Sequence, residues 1–398
     1  MLHSYSFSNF QSFAGLVEVD FTSGKATLPT DFVVKQPGEL YVSKVMMSVG
    51  SNASGKTSLI KPLAFISWFI EESFSAASNP ILGFSPHMSM QDKPTTFTFM
   101  RDGGDDFWRY SATMNNRRVI SETLERRDNA TKRFGYVFKR ELQSDTGKYT
   151  VKQKEEYFKF TQQVIDLLPK NVSFLSWAKQ YGNLLATQLL NEWQTATNMT
   201  SIGMRKISLE TLVYCAEQLH KNPEQLEQLS GLLNSWDLGL SSIKVGEFVN
   251  DSGDTIRLPV GVHRPSNSVE EEFTLLFTSE SHGTQSALFA LAVVLPALQN
   301  GSLVVFDELE ANLHPHMIAP ILKLFSSKET NPKNAQIIFT SHSLETMNLL
   351  QKSQIMLVEK NDCSSDAWRL DDISGVRTDD NFYAKYMAGA YAAIPNIE

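Results

Sequence analysis

The sequence predicts an α/β protein whose main domain is assembled from both chain ends, with a mostly helical insertion between them. Three observations predict it. Near the N-terminus an apolar run, "LYVSKVMMSVG" (40–50), enters a glycine-rich loop and then an apolar-periodic segment, the order strand, loop, helix. The last third of the chain alternates apolar β-like runs with helical patterns, as expected when helices join the strands of one sheet. Between the two, from about 153 to 240, apolar residues recur at helical spacing. The expected divisions are 1–150 and 241–398 for the two parts of the main domain and 151–240 for the insertion.

Taken in order, residues 1–22 alternate apolar and polar around Phe7, Phe10, Phe13, Val17, Val19 and Phe21, which predicts a β-hairpin or meander. The run at 40–50 predicts one buried strand, and "TSLIKPLAFISWFIEESF" a helix that tolerates Pro62. "TTFTFMRDGGDDFWRYSATMN" predicts a hairpin turning at Gly103–Gly104. The insertion reads as helices such as "YFKFTQQVIDLLPK" and "LLATQLLNEWQTAT". "IKVGEFVNDSGDTIRLPVGV" predicts a further hairpin. "FTLLFT", "SLVVFDE", "AQIIFTSHS" and "QIMLVEK" then predict strands, with helices from about 284, after His314–Pro315 and after "AQIIFTSHS".

Composition narrows the function classes. A chain of 398 residues, 42% hydrophobic and 20% charged, is neither disordered nor fibrous. Its net charge of -8 argues against indiscriminate coating of nucleic acid and leaves room for a local basic groove. "NNRRVISETLERRDNATKRFGYVFKR" (115–140) is the candidate for one; the alternative, which we favour, is a solvated, salt-bridged face. The two cysteines, Cys215 and Cys363, lack CxxC spacing and are expected as inert core thiols of a reduced, cytoplasmic protein. The N-terminus lacks the pattern of a signal peptide. The longest apolar stretches, near 59–70 and 287–298, are too short to span a bilayer, so no membrane partner is expected.

Three motifs carry chemistry. "GSNASGKTS" fits G-x-x-x-x-G-K-[ST]: Gly50, Ser51, Asn52, Ala53, Ser54, Gly55, Lys56, Thr57 and Ser58 would cradle phosphates with backbone N–H groups. Lys56 would reach the β- and γ-phosphates, and the Thr57 hydroxyl would ligate Mg²⁺. "SLVVFDELE" ends an apolar strand in Asp307, which would hold Mg²⁺, and Glu308, which would deprotonate the attacking water. "AQIIFTSHSLE" places His342 at the end of another strand, where it would contact the γ-phosphate and that water. His314 and His316 have no second ligand cluster near them in sequence, so zinc is not expected. The nucleotide still has one open face, and no arginine finger is evident. "SHGTQ" offers donors in Ser281, Gly283, Gln285 and the N–H groups of the following helix. These cannot easily wrap their own chain's nucleotide and would serve a second copy.

In this order, the phosphate loop, S-x-G-x-Q signature, Asp-Glu pair and strand-end histidine resemble the ABC-type ATPases. That resemblance implies a P-loop NTPase head, a mixed β-sheet flanked by helices, using ATP and Mg²⁺. More narrowly, Asn9-Phe10-Gln11-Ser12-Phe13 before the loop, and a long insertion after it, are similar to the SMC-like and OLD-like branch. "GTQ", "DELEANLHP" and the terminal "YMAGAYAAIP" resemble ATP-binding subunits of bacterial anti-phage and abortive-infection systems (AbiL-like, Septu-like, PARIS-like and retron-associated). The resemblance implies catalytic roles for Lys56, Glu308 and His342, and a head-to-tail dimer, or a higher oligomer built from it. Ser281 to Gln285 would bind the partner's γ-phosphate, Ala311 to His314 would contact the opposing site, and Gln91 would be a third Mg²⁺ ligand. Glu280 and His282-Gly283-Thr284 depart from L-S-G-G-Q, which weakens the analogy to transporters. Too few residues follow His342 for an appended nuclease, so a separate effector, such as a nuclease, is expected. The alternatives are an SMC-like ATPase that clamps DNA and an ATP-gated scaffold with negligible turnover.

Overall fold

In a computed structural model of the chain, which describes residues 1–24, 30–36, 40–79, 81–200, 205–249, 253–265 and 272–394, the alternating aromatics at the start form a hairpin, β1 (Leu2–Phe10) and β2 (Phe13–Asp20). A small sheet of β3 (Thr22–Ser23), β4 (Val33–Gln36) and β5 (Leu40–Ser43) follows. β6 (Val45–Gly50) is a separate strand in another sheet, so "LYVSKVMMSVG" is two strands and not one. The break falls at Lys44, whose ammonium donates to the Ser326 carbonyl at 3.1 Å. After the loop, α1 (Lys56–Glu72) runs unbroken through Pro62.

The expected hairpin at Gly103–Gly104 opens a meander of β7 (Thr95–Gly103), β8 (Asp106–Asn115), β9 (Arg118–Arg127), β10 (Phe134–Leu142) and β11 (Tyr149–Gln153). With β1 and β2 it makes a seven-stranded sheet in the order β11-β10-β9-β8-β7-β1-β2. The middle of the chain contributes α2 (Gln162–Ile165), α3 (Phe174–Gln180), α4 (Leu184–Glu192), β12 (Thr195–Thr197), α5 (Leu209–Lys221) and α6 (Pro223–Ser235). A three-stranded sheet, β13 (Ser242–Val249), β14 (Thr255–His263) and β15 (Phe273–Leu276), includes the predicted second hairpin, whose turn residues 250–252 lie outside the described residues. Then come α7 (His282–Asn300), β16 (Leu303–Phe306), α8 (Ile318–Ser326), β17 (Gln336–Thr340), β18 (Ile355–Asn361), β19 (Ser364–Arg369) and α9 (Phe382–Met387). The helix expected after β17 is a 3-10 turn over Leu344–Leu349.

The central sheet runs β12-β16-β17-β6-β18-β19, parallel except for the last pair. Both faces of its inner strands are buried, which is why they read as continuous apolar runs. Strand period two sends Met46, Val305, Ile338 and Met356 into a core shared with α1 and the seven-stranded sheet. Val45, Val304, Ile337 and Ile355 face a second core made with α7 and α8. The chain is therefore a mixed α/β head with helices on both sides of the central sheet.

Segment 151–240 is not set apart from this head. Leu175 and Leu189 of α3 and α4 belong to the first core, Leu212 and Leu229 of α5 and α6 to the second, and β12 is a strand of the central sheet. The basic stretch 115–140 is likewise no continuous strip, because strand alternation splits it. Arg140 is fully buried and donates to the carbonyls of Val172 at 2.6 Å and Pro169 at 2.9 Å beside Glu122, while Arg126 pairs with Asp106 at 2.8 Å. Of the two expected core thiols, Cys215 is buried, but Cys363 is exposed in the turn between β18 and β19. No described helix is long and apolar enough to cross a membrane.

Candidate functional site

β6 delivers Gly50 to the edge of a cleft of about 750 Å³ at the C-terminal ends of the parallel strands, a size typical of small-molecule sites. The loop needs its two glycines. A Cβ on Gly50 would stand 2.1 Å from the Val358 carbonyl oxygen of β18. Gly55 has φ +114°, and a Cβ there would meet the hydroxyls of Ser365 and Ser12 at 2.5 and 2.8 Å. Asn52 through Ser58 line the cleft together with Ser12, Glu308, Thr340, His342 and Lys360. The Ser12 and Ser54 hydroxyls are buried and have no hydrogen-bond partner among the described residues.

Lys56 is mostly buried and folds back over the loop, donating to the carbonyls of Gly50 and Ser51, each at 3.0 Å. Burial lowers its ammonium pKa, while Glu308, Asp307 and Glu310 pull the other way. Next on the helix, the Thr57 hydroxyl lies 3.0 Å from each carboxylate oxygen of Asp307. β17 lies between β6 and β16, and so brings Thr340 beside the same carboxylate. The Thr340 hydroxyl donates to Asp307 at 2.7 Å and accepts the Glu308 N–H at 2.7 Å. Glu308 holds a left-handed φ of 49°, uncommon for a residue with a side chain, at the turn out of β16. Its carboxylate is 3.9 Å from the His342 ring, and the His342 N–H is bonded to Glu310.

Asn198 is a residue that sequence reasoning missed. Its side-chain carbonyl accepts the Asp307 N–H at 2.8 Å and its amide donates to the Asp307 carbonyl at 2.7 Å. The carboxamide thus extends the β12–β16 ladder by one step, just beyond the last paired residue of β12. No local motif marks it, because it sits in a stretch dominated by helical spacing. Thr340 and Ser12 were inside quoted motifs but had no role assigned, and Lys360 had no signal of its own.

Two predicted groups are placed elsewhere. Gln91 does not line the cleft; it is exposed and its amide donates to the Met88 sulfur at 3.4 Å. No residue of Ser281–Gln285 lines the cleft either. Ser281 caps α7, accepting the Thr284 N–H at 3.1 Å, and is exposed together with His282, while Gly283 is half-exposed. Gln285 turns inward, its amide on the Glu280 carbonyl at 3.0 Å. Ala311–His314 forms a turn with a left-handed Asn312, φ 61°. No group of metal-ligating side chains of the zinc type occurs among the described residues.

A glycine-containing loop lining the cleft, a lysine, and a hydroxyl–carboxylate pair fit a nucleotide with a divalent cation: a Cβ at either glycine would crowd the loop, and Thr57 and Asp307 already converge. Among solved structures, the SMC head domain from Thermotoga maritima is similar at 11% identity, with a TM-score of 0.41, covering 92% of this chain and 98% of that one. No curated protein matches the sequence. A family model described as "AAA domain, putative AbiEii toxin, Type IV TA system" matches residues 49–348, which include the phosphate loop, Asp307, Glu308 and His342. The chain belongs to that family of AAA domains and is a P-loop ATPase by class.

Proposed function

We propose that the chain binds and hydrolyses ATP, dimerises head to tail around it, and serves as the ATPase subunit of a bacterial anti-phage defence complex, controlling a separate effector such as a nuclease. The observation that carries the hydrolytic reading is the convergence of Thr57 and Thr340 on Asp307, with Glu308 and His342 3.9 Å apart on the same cleft. Mg²⁺, held by Thr57 and Asp307, would supply charge neutralisation at the phosphates. Lys56 balances charge on the β- and γ-phosphates. Glu308 takes the proton of the attacking water, and His342 orients that water or the γ-phosphate. The exposed Ser281 and the α7 N-terminus, absent from the chain's own cleft, support the reading that they complete the partner's site.

Glu308→Gln tests this. It should lose ATP turnover, retain ATP and accumulate as a nucleotide-bound dimer by size-exclusion chromatography with light scattering. Unchanged turnover removes Glu308 as the base; retained ATP on a monomer removes the dimer. Purified alone, the chain should cut neither DNA nor RNA. ATPase activity stimulated by DNA, with a steep salt dependence, would instead mark a DNA clamp.

A further inference from the structure

Where L-S-G-G-Q carries leucine, this chain has a carboxylate: Glu280, immediately before Ser281, the cap of α7. A carboxylate at a mostly buried position needs a partner. The Glu280 side chain is 7% exposed, and its Oε1 lies 2.8 Å from Nε2 of His263, the last residue of β14. Gly261, on the same face of that strand, makes room for it: a Cβ there would stand 2.5 Å from Glu280 Oε1. Phe273 of β15 stacks on the His263 ring, centroids 4.9 Å apart and planes within 9°. The neighbouring Arg264 is taken by Glu272, and no other cation pairs with Glu280 among the described residues.

The partners of the ring fix where its protons are. His263 Nδ1 faces the Gly239 carbonyl at 2.8 Å, and a carbonyl oxygen only accepts, so Nδ1 carries a hydrogen. Nε2 faces a carboxylate oxygen, and two lone pairs cannot meet at 2.8 Å. A proton therefore lies between the two groups, and it resides on the ring, imidazole being the stronger base. The result is a charge-assisted bond from β14 to the entry of α7. From there the main chain carries the restraint into the helix. The Glu280 carbonyl accepts from the Gln285 amide at 3.0 Å, and the Ser281 hydroxyl accepts the Thr284 N–H at 3.1 Å. Three residues before Glu280, Phe277 is fully buried in the second core.

We propose that His263 and Glu280 are positioning residues: the proton they share holds the S-x-G-x-Q turn against β14, in the orientation that meets a second copy's γ-phosphate. This role rests on the head-to-tail reading above. Neither residue lines the chain's own cleft, so breaking the bond leaves nucleotide binding to a lone protomer intact and impairs the paired one.

Glu280→Leu, similar in bulk and without polar atoms, should lower ATP turnover about tenfold to a hundredfold through misplacement of the turn. Its affinity for a fluorescent, non-hydrolysed ATP analogue, titrated at protein concentrations that keep the chain monomeric, should not change. Glu280→Gln, whose amide can donate to a neutral His263 Nε2, should restore most of the turnover. In the Glu308→Gln background, the ATP-bound dimer should dissociate more readily with Glu280→Leu than with Glu280→Gln. Nitrogen-15 NMR of the histidine rings, with His263 assigned by its loss in His263→Gln, should show both ring nitrogens protonated in the unsubstituted chain and only Nδ1 in Glu280→Gln. A single protonated nitrogen on His263 of the unsubstituted chain overturns the proposal, whatever the variants do. So does a Glu280→Leu that matches the unsubstituted chain in turnover and dimer affinity, or one that binds the analogue more weakly as a monomer. An unsubstituted chain that turns over ATP fully as a monomer removes the head-to-tail reading itself, and this role with it.

Discussion

Replacing Asn198 with leucine tests whether the middle segment holds the strand end that carries Asp307. Leucine matches the side chain in size but offers neither donor nor acceptor, so the N–H and the carbonyl of Asp307 both lose their buried partner. Each unsatisfied buried group costs about 1–3 kcal/mol, so the pair costs about 2–6 kcal/mol. Unfolding entropy near 2 cal/mol/K per residue converts this to a fall in melting temperature of about 2–7 °C for a chain of this length. Asn198→Asp separates the two bonds: it still accepts the N–H but cannot donate to the carbonyl, and it places a second carboxylate beside Asp307. It should melt between the unsubstituted chain and Asn198→Leu. Differential scanning calorimetry gives the temperatures, and the Mg²⁺ concentration for half-maximal ATP turnover reads the effect on Asp307, with both variants requiring more. A folded Asn198→Leu that melts within a degree of the parent, with unchanged Mg²⁺ dependence, would refute the clamp.

Gly50→Ala should prevent folding or lower stability severely, because the obstacle at 2.1 Å is a strand carbonyl; Gly55→Ala should be milder, since two serine side chains can rotate and about 1–3 kcal/mol of backbone strain remains. Urea unfolding of both distinguishes them. Glu122→Gln should lose about 3–5 kcal/mol, because it leaves the fully buried Arg140 without its counter-charge; equal unfolding midpoints would contradict this. A thiol reagent should modify one cysteine per native chain, the exposed Cys363, since burial pushes the Cys215 thiol up to about 12; Cys215 should react only in denaturant. Lys61 has a folded pKa below its unfolded value, so between the two the unfolded chain binds more protons and stability rises with pH. Lys61→Met, which removes that ionisation, should therefore lose any advantage over the unsubstituted chain as pH rises through the folded pKa toward 10.5, the ordinary lysine value, in paired melts.

Much of the fold was legible because its elements announce themselves locally. Inner strands buried on both faces leave unbroken apolar runs, as in "SLVVFDE" and "AQIIFTSHS", and the hairpin at Gly103–Gly104 has turn residues in place. What misled was locality itself. "LYVSKVMMSVG" is continuous in hydropathy, yet at Lys44 the chain changes sheet, and hydropathy does not record which neighbour a strand pairs with. Three residues, Thr195–Thr197, gave no strand signal among helices, although pairing with β16 makes them one. Gln91 satisfied a positional expectation, but its loop directs the side chain to solvent and Met88.

By itself the sequence determined the phosphate loop, the acidic strand end and the strand-end histidine, because each depends on residue types at fixed spacing along one element. Only the tertiary structure decided that Thr340 and Asn198 hold Asp307, that 151–240 is divided between two cores, and that Arg140 is buried beside Glu122. Those facts depend on which strands lie side by side and which helix face meets which wall. Contacts between residues more than a hundred positions apart, such as Asn198 and Asp307, are set by packing and leave no mark on the local pattern.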